Sequence, residues 1–184
     1  MICTLDANAL VVWAAQESGD LDVARLDALF VEISRSKGRL ILPTPVLAEF
    51  FVRSSATGAS AWLAALQRKQ AIKVAEFDVK AAAECAAIHR RAVDAGSKRH
   101  HVKPNEAYQK IKVDRQIAAI AIVNRSDAVI TADGNLRTVC EANGLRVMSV
   151  QDLAIPDAAR QRRIEEVPDE SDATGDVIQP APPH

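Results

Sequence analysis

Several chemistries are excluded by what the chain lacks. Its 184 residues contain only three cysteines, Cys3, Cys85 and Cys140, scattered without a Cys-x-x-Cys or Cys/His spacing. That leaves no zinc site and no disulfide framework, and points to reduced thiols in a cytoplasmic protein. The seven glycines are dispersed, so no Gly-rich loop exists to cradle a nucleotide phosphate. No apolar run reaches the 18 residues of a membrane span. The N-terminus is apolar but has no basic region before it, and Asp6 interrupts it, so no signal peptide is expected. Aromatics are only 4% of the chain. A core must therefore come from aliphatic and Ala-rich packing.

What is present is a 48% hydrophobic composition and a formal charge of −1. The charge is unevenly spread. Residues 156–184 hold 3 basic and 7 acidic side chains, and the rest of the chain holds 20 and 17. A mildly basic domain over 1–155 thus precedes an acidic, Pro-rich tail over 156–184. The tail's composition buries too little apolar surface to order itself. An inert tail is one reading; an acidic tail that folds back on the basic domain as a brake is another.

Short apolar runs read as strands at 1–5, 39–44, 71–77, 127–131 and 145–150. Helical patterns lie between them. Asp20 or Asp22 and Asp78 stand where N-caps belong, and Gly38, Gly96 and Gly144 where helices stop. Strands alternating with helices predict a three-layer α/β sandwich whose central sheet is mostly parallel. The segment 97–112, "SKRHHVKPNEAYQKIK", breaks the pattern and reads as a basic loop. His100 and His101 lack a second ligand pair at zinc spacing. Tyr108, the sole tyrosine, reads as packing or as a platform for an unpaired base.

Carboxylates stand at the element edges. Asp6 ends the first strand, Glu49 lies in the second turn after the second, Asp114 is read as opening a helix, and Asp133 follows the fourth strand. Each has a plain alternative. Asp6 and Asp133 suit caps, Asp114 suits a helix start, and the flanks of Glu49 do not fix its facing. In a parallel sheet, however, the carboxyl ends of all strands share one edge, where ligands bind. Converged carboxylates repel one another unless they take protons or hold cations. Oxygen donors without His or Cys select Mg²⁺ or Mn²⁺. Such a set cuts phosphodiesters by activating water, sometimes with a second ion about 4 Å from the first. Asp133 can cap a helix and still turn one oxygen toward a metal. Lys112 and Arg115, beside Asp114, read as phosphate contacts or as solvated charge. Lys98, Arg99 and Lys103 would add salt-sensitive RNA affinity.

The blocks "TLDANAL", "PTPVLAEF", "KVDRQIAAIA" and "ITADGNL", taken in order, resemble the acidic motifs of PIN-domain ribonucleases over about residues 1–152. They are most similar to VapC-type toxins of toxin–antitoxin pairs. The resemblance implies a Mg²⁺- or Mn²⁺-dependent endoribonuclease with Asp6, Glu49, Asp114 and Asp133 as its acidic site. It implies that Asn8 supports the first carboxylate or a bound water, and that Thr131 is the hydroxyl residue before the fourth acid. It also implies an RNA substrate, a separately encoded antitoxin and a homodimer, with helix 60–67 as a candidate interface. The long basic segment and the acidic tail depart from the shorter toxins. A haloacid-dehalogenase-type phosphatase would need an Asp where the chain has Asn8. A PIN-like scaffold that binds RNA or protein without cutting is the non-enzymatic alternative.

Overall fold

The computed structural model describes residues 1–15, 20–53, 56–96, 107–157 and 159. Five strands form one sheet: β1 (Ile2–Leu5), β2 (Arg39–Pro43), β3 (Ile72–Ala75), β4 (Ala128–Ile130) and β5 (Val147–Met148). The order is β3-β2-β1-β4-β5 and every pairing is parallel. Central β1 pairs Thr4 with Ile41 on one side and with Val129 on the other. All five strands stand where the apolar runs place them, and the mostly parallel expectation becomes a wholly parallel sheet.

Among the described residues, seven α-helices fill the connections: α1 (Ala7–Ala15), α2 (Leu21–Arg35), α3 (Thr44–Arg53), α4 (Ala56–Gln67), α5 (Val79–Asp94), α6 (Tyr108–Val123) and α7 (Gly134–Glu141). They pack as two groups, α1 with α2 and α3, and α5 with α6 and α7. Right-handed crossovers impose this division. The chain moves outward from β1 to β3 with helices on one face, then returns past β1 to β4 and β5 with helices on the other. Parallel strands are covered on both faces, so they are continuously apolar. Leu5, Leu40, Leu42, Val129 and Ile130 are all buried.

The α6 helix is enclosed on nearly every side. Ile111, Ile117, Ala118, Ala119, Ile120 and Ala121 are all buried. Its alanines let α5 and α7 approach closely, which is how an aromatic-poor chain reaches core density. The few aromatics gather elsewhere: Trp13, Phe30, Phe50 and Trp62 form one cluster, with Trp13 and Trp62 edge to face at 5.9 Å. Trp13 Nε1 donates to Asp27 Oδ1 at 2.8 Å, satisfying its polar atom.

Caps fall where the sequence places them. Asp20 accepts from Asp22 N–H and Asp78 from Ala81 N–H. Gly38 does more than stop α2. A Cβ there would lie 1.9 Å from the Met1 carbonyl oxygen, so only glycine lets β2 start beside β1.

Two expectations change. The basic loop is shorter than 97–112, because Tyr108 already begins α6; residues 97–106 lie outside the described residues. Asp114 therefore does not open its helix. The N-cap is Ala107, and Asp114 sits in the second turn on the buried side. The turn before Ile111 is polar, so apolar periodicity marks the start of α6 too late. The tail beyond Ala159 also lies outside the described residues. Among the described residues no helix is long and apolar enough to cross a membrane, and all three cysteines are free thiols.

Candidate active site

Strand order reverses direction at β1 and β4, and the loops leaving these two strands meet at the sheet's carboxyl edge. Asp6 leaves β1 there. Its N–H continues the ladder to Ile130 O at 3.0 Å, and its carbonyl accepts from Leu10 N–H as α1 begins. The side chain is 5% exposed. Its Oδ1 accepts from Ala7 N–H and its Oδ2 from Thr131 Oγ1–H, both at 2.7 Å. Burial pushes the Asp6 carboxyl above the ordinary range; the two hydrogen bonds oppose the shift, and the charges of Glu49 and Asp133 add to it. Asp6 thus feels the charges of two of the other three acids.

Thr131 links two of the acids. It is fully buried, its Oγ1 accepts from Asp133 N–H at 2.9 Å, and it donates onward to Asp6. This fixes the hydroxyl proton toward Asp6. Its own N–H is anchored to Met148 O at 2.9 Å, so β5 braces the link.

Asp133 caps α7. Its Oδ1 accepts from Asn135 N–H at 2.7 Å and from Leu136 N–H at 3.2 Å. Its Oδ2 does turn outward, and there it meets Lys110 Nζ at 2.8 Å. Burial would raise this carboxyl, but the Lys110 ammonium and the two backbone N–H groups outweigh it and hold the group below the ordinary range.

Asp114 approaches from α6. That helix ends at the sheet's amino edge, where Asp127 N–H bonds to Ile2 O, so its first turns lie at the carboxyl edge. Asp114 is as buried as Asp6, at 5% exposed. Fully buried Cys140 of α7 reports on both: burial raises its thiol strongly, and the charges of Asp114 and Asp6 raise it further. Without a bound cation, a thiol so placed stays protonated.

Glu49 stands on α3, which leaves β2 at the same edge. It pairs with Arg53, one turn on. Arg53 also donates to Asn8 Oδ1 at 2.9 Å. The guanidinium therefore ties the second acid to the side chain two places after the first.

The four acids thus form two tiers. Asp6 and Asp114 are buried, whereas Glu49 and Asp133 reach the rim and each carries a cation of the chain. Among the described residues no three His, Cys, Asp or Glu side chains converge into a metal-holding group.

The expected phosphate contacts fare differently. Lys98, Arg99 and Lys103, with His100 and His101, lie outside the described residues. Lys112 is exposed, its ammonium 4.9 Å from the Tyr108 ring centroid, so the tyrosine face is already covered. Arg115 is only 2% exposed; its Nη1 bonds to His89 Nδ1 at 2.6 Å between α5 and α6. One residue beyond Asp114 is about 100° around the helix, which turns Arg115 into the α5 contact instead of toward solvent. Its place suits packing, not a phosphate. Two residues that reasoning from sequence left out of the site are Arg53 and Lys110. The first was legible as an i,i+4 partner of Glu49. The second needed the fold, because Asp133 is far away in sequence.

A family model described as "PIN domain" matches residues 3–142. No curated protein sequence matches the chain. Among solved structures, the chain is similar to VapBC2 from Rickettsia felis bound to a promoter DNA fragment, at 16% identity and a TM-score of 0.54 over 81% of this chain and 98% of that one. It is likewise similar to DNA-bound VapBC from Salmonella typhimurium, at 18% identity and a TM-score of 0.54 over 82% and 98%. These likenesses concern the fold.

Proposed function

Since the chain belongs to the PIN domain family, whose members are nucleases, we propose that it is a metal-dependent endoribonuclease acting as the toxin of a toxin–antitoxin pair. The observation that carries the nuclease reading is the buried pair Asp6 and Asp114, with Glu49 and Asp133 around it, at the carboxyl edge where strand order reverses. Burying two carboxylates is costly unless a cation or protons offset their charge. The four acids offer oxygen donors, and such a set fits Mg²⁺ or Mn²⁺. When bound, such an ion supplies Lewis-acid polarisation of the phosphodiester and a more acidic attacking water.

The chain's own residues do the rest. Asp6 and Asp114 would hold the ion, with Asp133 and Glu49 as further ligands. Thr131 fixes the orientation of Asp6, and Glu49 would orient the attacking water and take its proton. Asn8 holds Arg53 in turn. Lys112 contributes to the basic rim, and Lys98, Arg99 and Lys103 extend it. The toxin role draws on the resemblance to VapBC complexes, as does a separately encoded antitoxin as partner. A cytoplasmic homodimer completes the reading; α4 exposes Ala61, Ala64 and Ala65, and Val52 beside it is 87% exposed.

The test is incubation of the full chain with single-stranded RNA in Mg²⁺, Mn²⁺ or EDTA. Metal-dependent cleavage that EDTA abolishes is expected. Absence of cleavage together with absence of calorimetric metal binding would favour a scaffold that binds without cutting.

A further inference from the structure

Arg53 and Lys110 stand on opposite sides of the acidic site, one on α3 and one on α6, and each is paired with a rim acid. The Arg53 and Glu49 side chains are 45% and 42% exposed, and the Lys110 side chain is 44% exposed against 20% for Asp133. Pairs this open to water are held weakly and exchange partners readily. A phosphodiester oxygen offers each cation the same charge-assisted bond that its carboxylate now supplies. Lys110 is also one helical turn from Asp114 on a shared face, so its ammonium is anchored above the buried acid. Arg53 presents a fork, with one nitrogen on Glu49 and another on Asn8.

Resting on the nuclease reading above, we propose that Arg53 and Lys110 are the residues that bind the RNA backbone on either side of the acids, each exchanging its rim carboxylate for a substrate phosphate. The exchange has two consequences at once. It positions the strand over Asp6 and Asp114, and it releases Glu49 and Asp133 to face a metal. The sequence around Lys112 and Arg115 points elsewhere on α6, since Lys112 lies over Tyr108 and Arg115 is buried.

The experiment is the salt dependence of binding. The full chain carrying Asp114→Asn, to stop turnover, is titrated with a short fluorescent single-stranded RNA in Mg²⁺ at several salt concentrations. Arg53→Gln and Lys110→Gln are each added to it. Each is expected to weaken binding and to flatten the slope of log affinity against log salt by about 0.7, the value for one phosphate contact to a single strand. Arg53→Lys and Lys110→Arg, which keep the charge, should retain the slope. Mn²⁺ affinity without RNA, measured for the Gln variants with Asp114 intact, should not fall, because each removes a competitor for a rim acid. Unchanged slopes in both Gln variants overturn the inference, as does RNA binding too weak to measure. Loss of Mn²⁺ affinity in parallel with RNA binding also overturns it, since the cations would then merely brace the acids. Wild-type cleavage with unchanged slopes leaves the nuclease standing and removes this inference. Flattened slopes without wild-type cleavage do the reverse.

Discussion

Asp6 and Asp114 differ from Glu49 and Asp133 in what neutralises them. The inner pair is 5% exposed at each residue, and the Asp6 carboxylate is held by a backbone N–H and a threonine hydroxyl. The rim pair is more open, and each member is ion-paired, Glu49 with Arg53 and Asp133 with Lys110. The contrast shows up in acidity. Asp6 is pushed above the ordinary carboxylate range and Asp133 below it. One fold edge therefore holds two kinds of acid: buried inner ones, and rim ones ion-paired with a lysine or an arginine.

The largest effect should follow from removing inner charge. Asp114→Asn or Asp6→Asn should lower RNA cleavage by about 10²–10³-fold or more, measured at saturating Mn²⁺, as for other losses of a fixed electrostatic group. Glu49→Gln and Asp133→Asn should cost less. Equal losses in all four variants would erase the distinction between the tiers.

Next in size is the link between the tiers. Thr131→Val removes the donor to Asp6 Oδ2 and the acceptor for Asp133 N–H, and should reduce metal affinity or activity by about 10–100-fold. It should also shift the acidic limb of the pH–rate profile to higher pH. The reason is that Asp6 must be ionised to act, and this hydrogen bond is what moderates its raised pKa.

The smallest effects concern stability, and their signs oppose. Asp6 binds its proton more tightly folded than unfolded. The stability this provides is fully present below the unfolded value and is lost as pH rises through the folded one. In EDTA at pH 7, Asp6→Asn should therefore raise the urea midpoint. For Asp133 the folded value is the lower one, so its contribution is present above the unfolded value and is lost as pH falls through the folded one. Asp133→Ala, which also removes the α7 cap, should cost about 1 kcal/mol at pH 7, whereas Asp133→Asn should retain most of the cap. Urea titrations of the three variants check both signs.

Much of this was legible in the chain. Buried parallel strands are short apolar runs bounded by turn signals, and five such runs located the whole sheet. Asp20 and Asp78 announced their caps by standing before helical patterns. Asp133 announced its cap, and its second oxygen faces outward as expected, where it meets Lys110. The misplacements share a cause. Periodicity reports burial, and the first turn of α6 is polar because it lines the rim, so Asp114 looked terminal when it is interior. Arg115 looked like a companion to Asp114 because it is adjacent in sequence, yet the helical rotation sends it against His89. Lys110 could not be assigned to Asp133 at all, because that contact joins α6 to the cap of α7 and exists only once β4 has closed beside β1.

The most direct measurement is a calorimetric Mn²⁺ titration of the wild type beside Asp114→Asn and Glu49→Gln. The account predicts metal binding by the wild type, its loss in Asp114→Asn, and its retention in Glu49→Gln with at most a modest weakening. Binding that survives Asp114→Asn but disappears with Glu49→Gln would contradict it, and would move the reactive centre from the buried pair to the rim.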